Sequence, residues 1–388
     1  MTRPLRVLFA PDSFKGSLSS VEVARALAAG WRRVRPGDTI LLAPLADGGE
    51  GTTEAIAAAG GWEWRETTVA NPDFRPVAAH WLISPDGRSA VIEMAAASGL
   101  SLIPADQRDT TLFTTMGTGQ IIAAALDAGV RDLTLGIGGS ATTDGAAGIL
   151  TVLGAVIRDE DGEHLVEPPT PPVPISLLAA ASVDLDGLDP RLADVDLRIA
   201  CDVTNPLLGP SGAAAVYGPQ KGAGPDDVEL LEWALAAWAD ALEAATGRTE
   251  RDTPGAGAAG GTGFGLLCLR DRFRSLELVP GVDLVMRATG FGGKLAGADL
   301  VITGEGRIDA QTAFGKTALG VARAGQAAGV RCIAVGGSVE PEGAAALARL
   351  GAEAIPVHES PIALDAAIAA GAAPLEACAE RLARSFDG

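Results

Sequence analysis

The chain has 388 residues, enough for two domains of ordinary size that each bury a core without disulfides or structural metals. Hydrophobic residues make up 47% and charged residues 20%, with 50 glycines against a single tyrosine, which excludes a disordered chain and predicts many tight loops. The net charge of -19, with Lys and Arg scattered along the chain, opposes a nucleic-acid backbone or an anionic membrane surface as partner.

In chain order, short runs rich in Val, Ile and Leu alternate with longer Ala/Leu-rich segments of helical period, the pattern of an α/β protein with largely parallel sheets. Strands are predicted at 5–10, 39–43, 90–94, 132–136, 196–201, 299–303, 331–335 and 353–357. A helix is predicted at 20–33, with Ser19 or Ser20 as cap and Val21, Ala24, Leu27 and Trp31 on one stripe. Pro225 opens another that carries Val228, Leu231, Leu235, Trp238 and Leu242 on one face, so both tryptophans read as core. Pro-rich or Gly-rich breaks fall at 71–76, 167–174 and 248–265, the first of them read as a crossing between domains. The first six residues lead straight into a strand, and no window of about 18 uncharged apolar residues follows, so a cytoplasmic protein is expected. Cys201, Cys268, Cys332 and Cys378 form no C-x-x-C pair and the three histidines form no ligand pair, which opposes zinc and disulfide scaffolds.

The informative segments follow the strands, because ligands of open α/β sheets bind outside the carboxyl ends of the strands. Pro11-Asp12-Ser13-Phe14-Lys15-Gly16 follows the first strand, and Ala46-Asp47-Gly48-Gly49-Glu50-Gly51 the second. Later come Gly138-Gly139-Ser140-Ala141-Thr142-Thr143-Asp144-Gly145, then Asp202-Val203-Thr204-Asn205-Pro206, then Gly304-Glu305-Gly306-Arg307-Ile308-Asp309. Any one of these is ordinary turn chemistry, but five in one chain point to a ligand site. Glycines let backbone N–H groups approach a phosphate, and Gly138, Gly139 and Ser140, with the hydroxyl of Thr143, fit such a cradle. Carboxylates beside a phosphate require an intervening cation, so the loops predict Mg²⁺ with ATP, and Lys15, Lys221, Arg307 or Lys316 supply donors.

Two motifs mislead. Gly315-Lys316-Thr317 ends like a P-loop, but Ala310 stands where the first glycine is required. Gly136-Ile137-Gly138-Gly139-Ser140-Ala141 matches the dinucleotide pattern after a strand and keeps a nicotinamide-dependent oxidoreductase of small hydroxy acids as the alternative, with a non-catalytic binding protein third. Gly255 to Gly260 matches the same pattern without a preceding strand.

The series Pro11 to Gly16, Leu45 to Gly51 and Gly138 to Asp144 resembles the bacterial glycerate kinase family, as do Cys201 to Pro210, Tyr217 to Gly222, Gly260 to Gly265 and Thr303 to Asp309, in that order. Ala146-Ala147, after Asp144-Gly145, departs from it where a further glycine is common. The resemblance implies ATP-dependent phosphorylation of D-glycerate to 2-phosphoglycerate, in glyoxylate, glycerate or sugar-acid breakdown. It implies two α/β domains, one discontinuous and joining the chain ends (1–75 with 290–388), the other inserted (76–289), with catalysis in the cleft between them. On this reading Asp47, Asp144 and Asp202 face the reacting centre, Asp202 as base and Asp144 for magnesium, roles that are open to exchange. Lys15 meets either the glycerate carboxylate or the γ-phosphate. Asp12, Ser13, Gly48, Gly49, Glu50, Asn205 and Lys221 bind substrate or ATP, while Glu305, Arg307, Asp309 and Lys316 line the other wall.

Overall fold

The computed structural model describes residues 3–166, 170–310, 312, 317–358, 360 and 362–385. The chain begins with β1 (Arg6–Phe9) and β2 (Thr39–Leu42), then runs through β3 (Glu63–Ala70), β4 (Pro76–Ile83), β5 (Ser89–Glu93), β6 (Asp132–Gly136), β7 (Val156–Arg158), β8 (Ser182–Asp184), β9 (Asp196–Ala200) and β10 (Ser275–Val279). It ends with β11 (Leu300–Ile308), β12 (Arg331–Val339) and β13 (Glu353–Pro356). The fold is mixed α/β with mostly parallel sheets, as the alternating pattern predicts.

Two compact units divide the chain. Unit one comprises residues 1–47, 51–61 and 280–388; unit two comprises 48–50 and 62–279. The divisions after Gly61 and before Pro280 differ from those read from sequence at 75/76 and 289/290. The reason is local. Residues 71–76 are not a crossing but the turn of the β3–β4 hairpin, closed by the Asn71 N–H donating to the Arg75 carbonyl and the Arg75 N–H donating to Asn71 Oδ1, both at 2.7 Å.

Unit one is a five-stranded parallel sheet in the order β13-β12-β11-β1-β2. The chain moves outward from β1 to β2 and then resumes on the opposite side of β1, so a topological switch point lies between β1 and β11. Its core is apolar, with Val7, Phe9, Leu300, Ile302, Ile333 and Val335 fully or nearly buried. Each such side chain contributes roughly 1.5–3 kcal/mol of burial. The helix Ser20–Val34 covers one face; its Ser19 cap and Glu22 form a reciprocal capping box. Gly30 on this helix meets the C-terminal helix Ala373–Ser385 so closely that an added Cβ would lie 2.1 Å from the Glu376 carbonyl oxygen. β11 and β12 run longer than their apolar cores predict, because the glycine-rich stretches at 304–308 and 336–339 stay extended and continue the ladder.

Unit two is a six-stranded sheet in the order β10-β9-β6-β5-β4-β3, parallel from β10 to β5 and antiparallel at the β4 and β3 edge, with β7 and β8 as a separate ribbon. The helix Pro225–Thr246 lays Leu231, Leu235, Trp238 and Leu242 into its core. All four cysteines are free. Among the described residues no helix is long and apolar enough to cross a membrane.

Gly30→Ala forces one helix off the other and is expected to cost about 3 kcal/mol by overpacking, read as a lowered urea midpoint of unit one. An unchanged midpoint would show that the two helices shift apart freely.

Candidate active site

In unit one the ladder continues past the ends of the strands. Ala10 N–H donates to the Ile302 carbonyl at 2.8 Å, Asp12 N–H to the Gly304 carbonyl at 2.8 Å and Leu45 N–H to the Pro11 carbonyl at 2.9 Å. These bonds bring Asp12, Asp47 and Glu305 to one corner of the sheet. Asp12 is buried, accepting from the Ser13 N–H at 2.6 Å and from Thr317 Oγ1 at 2.5 Å. Burial, and then the neighbouring Asp47 charge, push its carboxyl up to about 6. Lys15 answers this negative field. Its ammonium lies 3.4 Å from Asp47 Oδ2, and the charges of Asp47, Asp12 and Glu305 all raise its pKa. The side chain is largely exposed, so the pair itself adds little stability.

Glu305 is buried on β11 and accepts from Thr312 Oγ1 at 3.2 Å, while the same hydroxyl receives the Asp309 N–H at 3.1 Å. Arg307 is exposed and paired with Glu340 and with Asp309 at 3.3 Å. Glu305 and Arg307 therefore sit on a strand, not on the loop expected from their glycines. Thr312 and Thr317 do not emerge from sequence reasoning, although Thr317 belongs to the misleading P-loop ending. Lys316, expected on this wall, lies outside the described residues. The corner opens into a cavity of about 640 Å³ whose wall also includes Ser13, Phe14 and Glu340.

In unit two the segment from Gly138 to Gly145 is gripped by other backbone. An added Cβ on Gly136 would lie 2.6 Å from the Gly48 carbonyl oxygen, and one on Gly138 2.6 Å from the Gly49 Cα, so Gly48 and Gly49 pack directly beneath. Ala141 N–H donates to the Ser98 carbonyl and Leu100 N–H to the Gly139 carbonyl, both at 2.9 Å. From the far side, Gly260 holds φ +68 and an added Cβ there would lie 2.0 Å from the Thr142 carbonyl oxygen. The segment 255–265 is thus a clamp, and its dinucleotide-like spacing is a packing requirement. The dinucleotide reading of 136–141 also lacks its helix, since the next one begins only at Ala147. Ala146 takes the left-handed conformation with φ 66.

Asp144 is fully buried. Its Oδ2 accepts from the Thr115 N–H and Oγ1, both at 2.8 Å, and from the Gly148 N–H at 3.1 Å, tying together the starts of the helices Met116–Asp127 and Ala147–Val152. Burial raises its pKa despite these donors. Oδ1 is buried with no partner among the described residues, as are the hydroxyls of Thr142 and Thr143. Lys221 is buried as well, and its Nζ donates to the Thr142 carbonyl at 2.6 Å. Burial, opposed by the Asp144 charge, pushes this ammonium down to about 7. Trp238 Nε1 donates to the Gly145 carbonyl at 2.9 Å. Asp144 and Lys221, expected to face ligand, are both buried and hydrogen-bonded within the loop and its supports.

Asp202 follows β9 and is exposed. Asn205 donates through Nδ2 to the Ser211 carbonyl at 2.8 Å and accepts from the Tyr217 hydroxyl at 2.7 Å, which anchors the segment after Asp202 to the helix Ala213–Tyr217. Ser13 lies on the cavity wall of unit one, Ser140 follows Gly139, and Glu50 is exposed. Among the described residues no three His, Cys, Asp or Glu side chains converge on a metal position.

Each α/β unit carries strand-end loops rich in carboxylates and glycine, the arrangement of a small-molecule enzyme. The chain belongs to the glycerate kinase family, whose model matches residues 7–387. It is 45% identical to a glycerate kinase of Bacillus subtilis (strain 168) over 99% of this chain and 95% of that one. It is 43% identical to glycerate 2-kinase of Escherichia coli (strain K12) over 86% and 85% of the two chains. The crystal structure of a Salmonella typhimurium LT2 protein assigned as glycerate kinase 2 superposes with a TM-score of 0.84 at 41% identity, covering 99% of this chain and 98% of that one. Neither the family nor these relatives supports the oxidoreductase alternative.

Gly260→Ala places a methyl against the Thr142 carbonyl and strains a left-handed residue. It is expected to lower the melting temperature clearly and to cost at least tenfold in activity, followed by calorimetry and by turnover. Lys221 gives a pH signature. Between about pH 7 and 10 the unfolded chain holds a proton that the folded chain lacks, so stability rises across that window. Lys221→Met is expected to flatten the rise and, by losing the bond to Thr142, to lower the urea midpoint at every pH. Equal slopes for the two proteins would contradict a lysine buried in this way.

Proposed function

We propose that this protein transfers the γ-phosphoryl group of ATP to the 2-hydroxyl of D-glycerate, giving 2-phosphoglycerate and ADP in glyoxylate, glycerate or sugar-acid breakdown in the cytoplasm. The observation that carries the reading is the family match along nearly the whole chain. The position of transfer draws on the relative named for 2-kinase activity. The two-domain organisation with joined chain ends, implied by resemblance, is part of the same proposal.

The donor set fits magnesium. Asp12 and Asp47 repel one another, with Glu305 on the same cavity wall, and a divalent cation held with phosphate oxygens and water relieves that repulsion. When bound, Mg²⁺ neutralises the charge of the phosphates and orients them for transfer. Lys15, held in the field of Asp47, offers a mobile ammonium to the transferred phosphoryl group or to the glycerate carboxylate. The backbone of Gly138, Gly139 and Ser140 supplies N–H donors to an anion, on a loop fixed from below and behind so that donors need not reorganise. Asp202, exposed at the end of β9, accepts the proton of the attacking hydroxyl. Asp144 keeps the loop in register through Thr115 and Gly148.

ADP release that requires both Mg²⁺ and D-glycerate, with the phosphorus position of the product read by NMR, tests the assignment; release independent of glycerate would overturn it. Asp202→Asn is expected to lower kcat by more than about tenfold with little change in either KM. A kcat within that range would remove Asp202 as the base.

A further inference from the structure

The cavity of unit one is much larger than glycerate requires. About 640 Å³ lies at the switch point of the sheet, and a three-carbon acid fills only a corner of it. Its wall changes character along the sheet. Asp12 and Asp47 follow the ends of β1 and β2, and Glu305 lies within β11. Beyond β12, the wall is built from Val357 after β13, from Ile362, and from Ile368 and Leu375 on the two helices that follow. Phe14 joins this side, since an added Cβ on Gly337 of β12 would lie 3.6 Å from its ring. From β1 to β13 is three strand spacings, roughly 14 Å, about the length of an extended nucleoside triphosphate.

Two of these side chains have no internal reason to be where they are. Ile362 is 44% exposed and Ile368 37% exposed, both facing the cavity. Large aliphatic side chains exposed together in a concave wall mark a surface that an apolar ligand covers. Ser338 and His358 lie on the same wall and offer hydrogen-bonding groups. An apolar slot with a few polar groups, ending in carboxylates suited to a cation and its phosphates, has the chemistry of a purine nucleotide site.

We propose that Phe14, Val357, Ile362, Ile368 and Leu375 form the subsite for the adenine ring of ATP, so that the nucleotide is bound by unit one, its phosphates directed to Asp12 and Asp47. This rests on the kinase reading. Glycerate, with no apolar surface of consequence, gains nothing from these side chains.

Ile362→Asp and Ile368→Asp place a charge in the slot while altering residues already partly exposed, so the fold is retained. The probe is ADP, titrated calorimetrically into the wild-type protein and each variant. The expected result is ADP affinity weakened at least tenfold in both variants, with the KM for ATP raised in parallel, the KM for glycerate within about twofold, and the ligand-free melting temperature little changed. ADP affinity equal to wild type in both variants overturns the subsite while leaving the kinase reading intact. A rise in the KM for glycerate alone overturns it in favour of an acid-binding cavity. Failure of the wild-type protein to bind ADP or to release it in the presence of glycerate overturns the kinase reading itself.

Discussion

The structure of unit two depends on backbone lying against backbone around the loop 138–145. Gly48 and Gly49 support it from one side and Gly260 closes it from the other, at separations that leave no space for a Cβ. Packing of this kind fixes the direction of peptide N–H groups more rigidly than side-chain contacts do, because peptide planes have no rotamers. The buried carboxylate of Asp144 and the buried ammonium of Lys221 then hold the loop from within, each engaging groups that the helix starts and the loop carbonyls leave unpaired. Buried groups of this kind are retained at a cost in desolvation, which their shifted titration reports.

Unit one solves a different problem. Its parallel ladder carries Asp12 and Asp47 to neighbouring strand ends, and burial makes their mutual repulsion felt. Lys15 is the mobile answer within the protein. The unit's cavity therefore combines an electrostatically unfavourable corner with an apolar wall.

Much of this was legible from residues alone. Every strand expected from a Val/Ile/Leu run is found, because strands of parallel sheets are mostly short runs of branched apolar residues. The strands not expected are the half-exposed edge pair β3 and β4, whose charged and threonine-rich faces dilute the apolar signal, the ribbon β7 and β8, and β10 at the sheet's other edge. The proline-rich stretch at 71–76 read as a domain crossing because turns and linkers share a composition; only pairing distinguishes them.

The sequence by itself determined the α/β class, the strand-end position of the acidic and glycine-rich loops, and the family, since these depend on local pattern and on motifs in order. Tertiary structure alone decided what each residue faces. Asp144 and Lys221 sit in polar, glycine-rich motifs yet are fully buried in the fold, because burial is a property of what packs around a residue and not of its neighbours in the chain. Thr317 gains its role only because Asp12, some three hundred residues earlier, is brought within 2.5 Å of it by the pairing of β1 with β11.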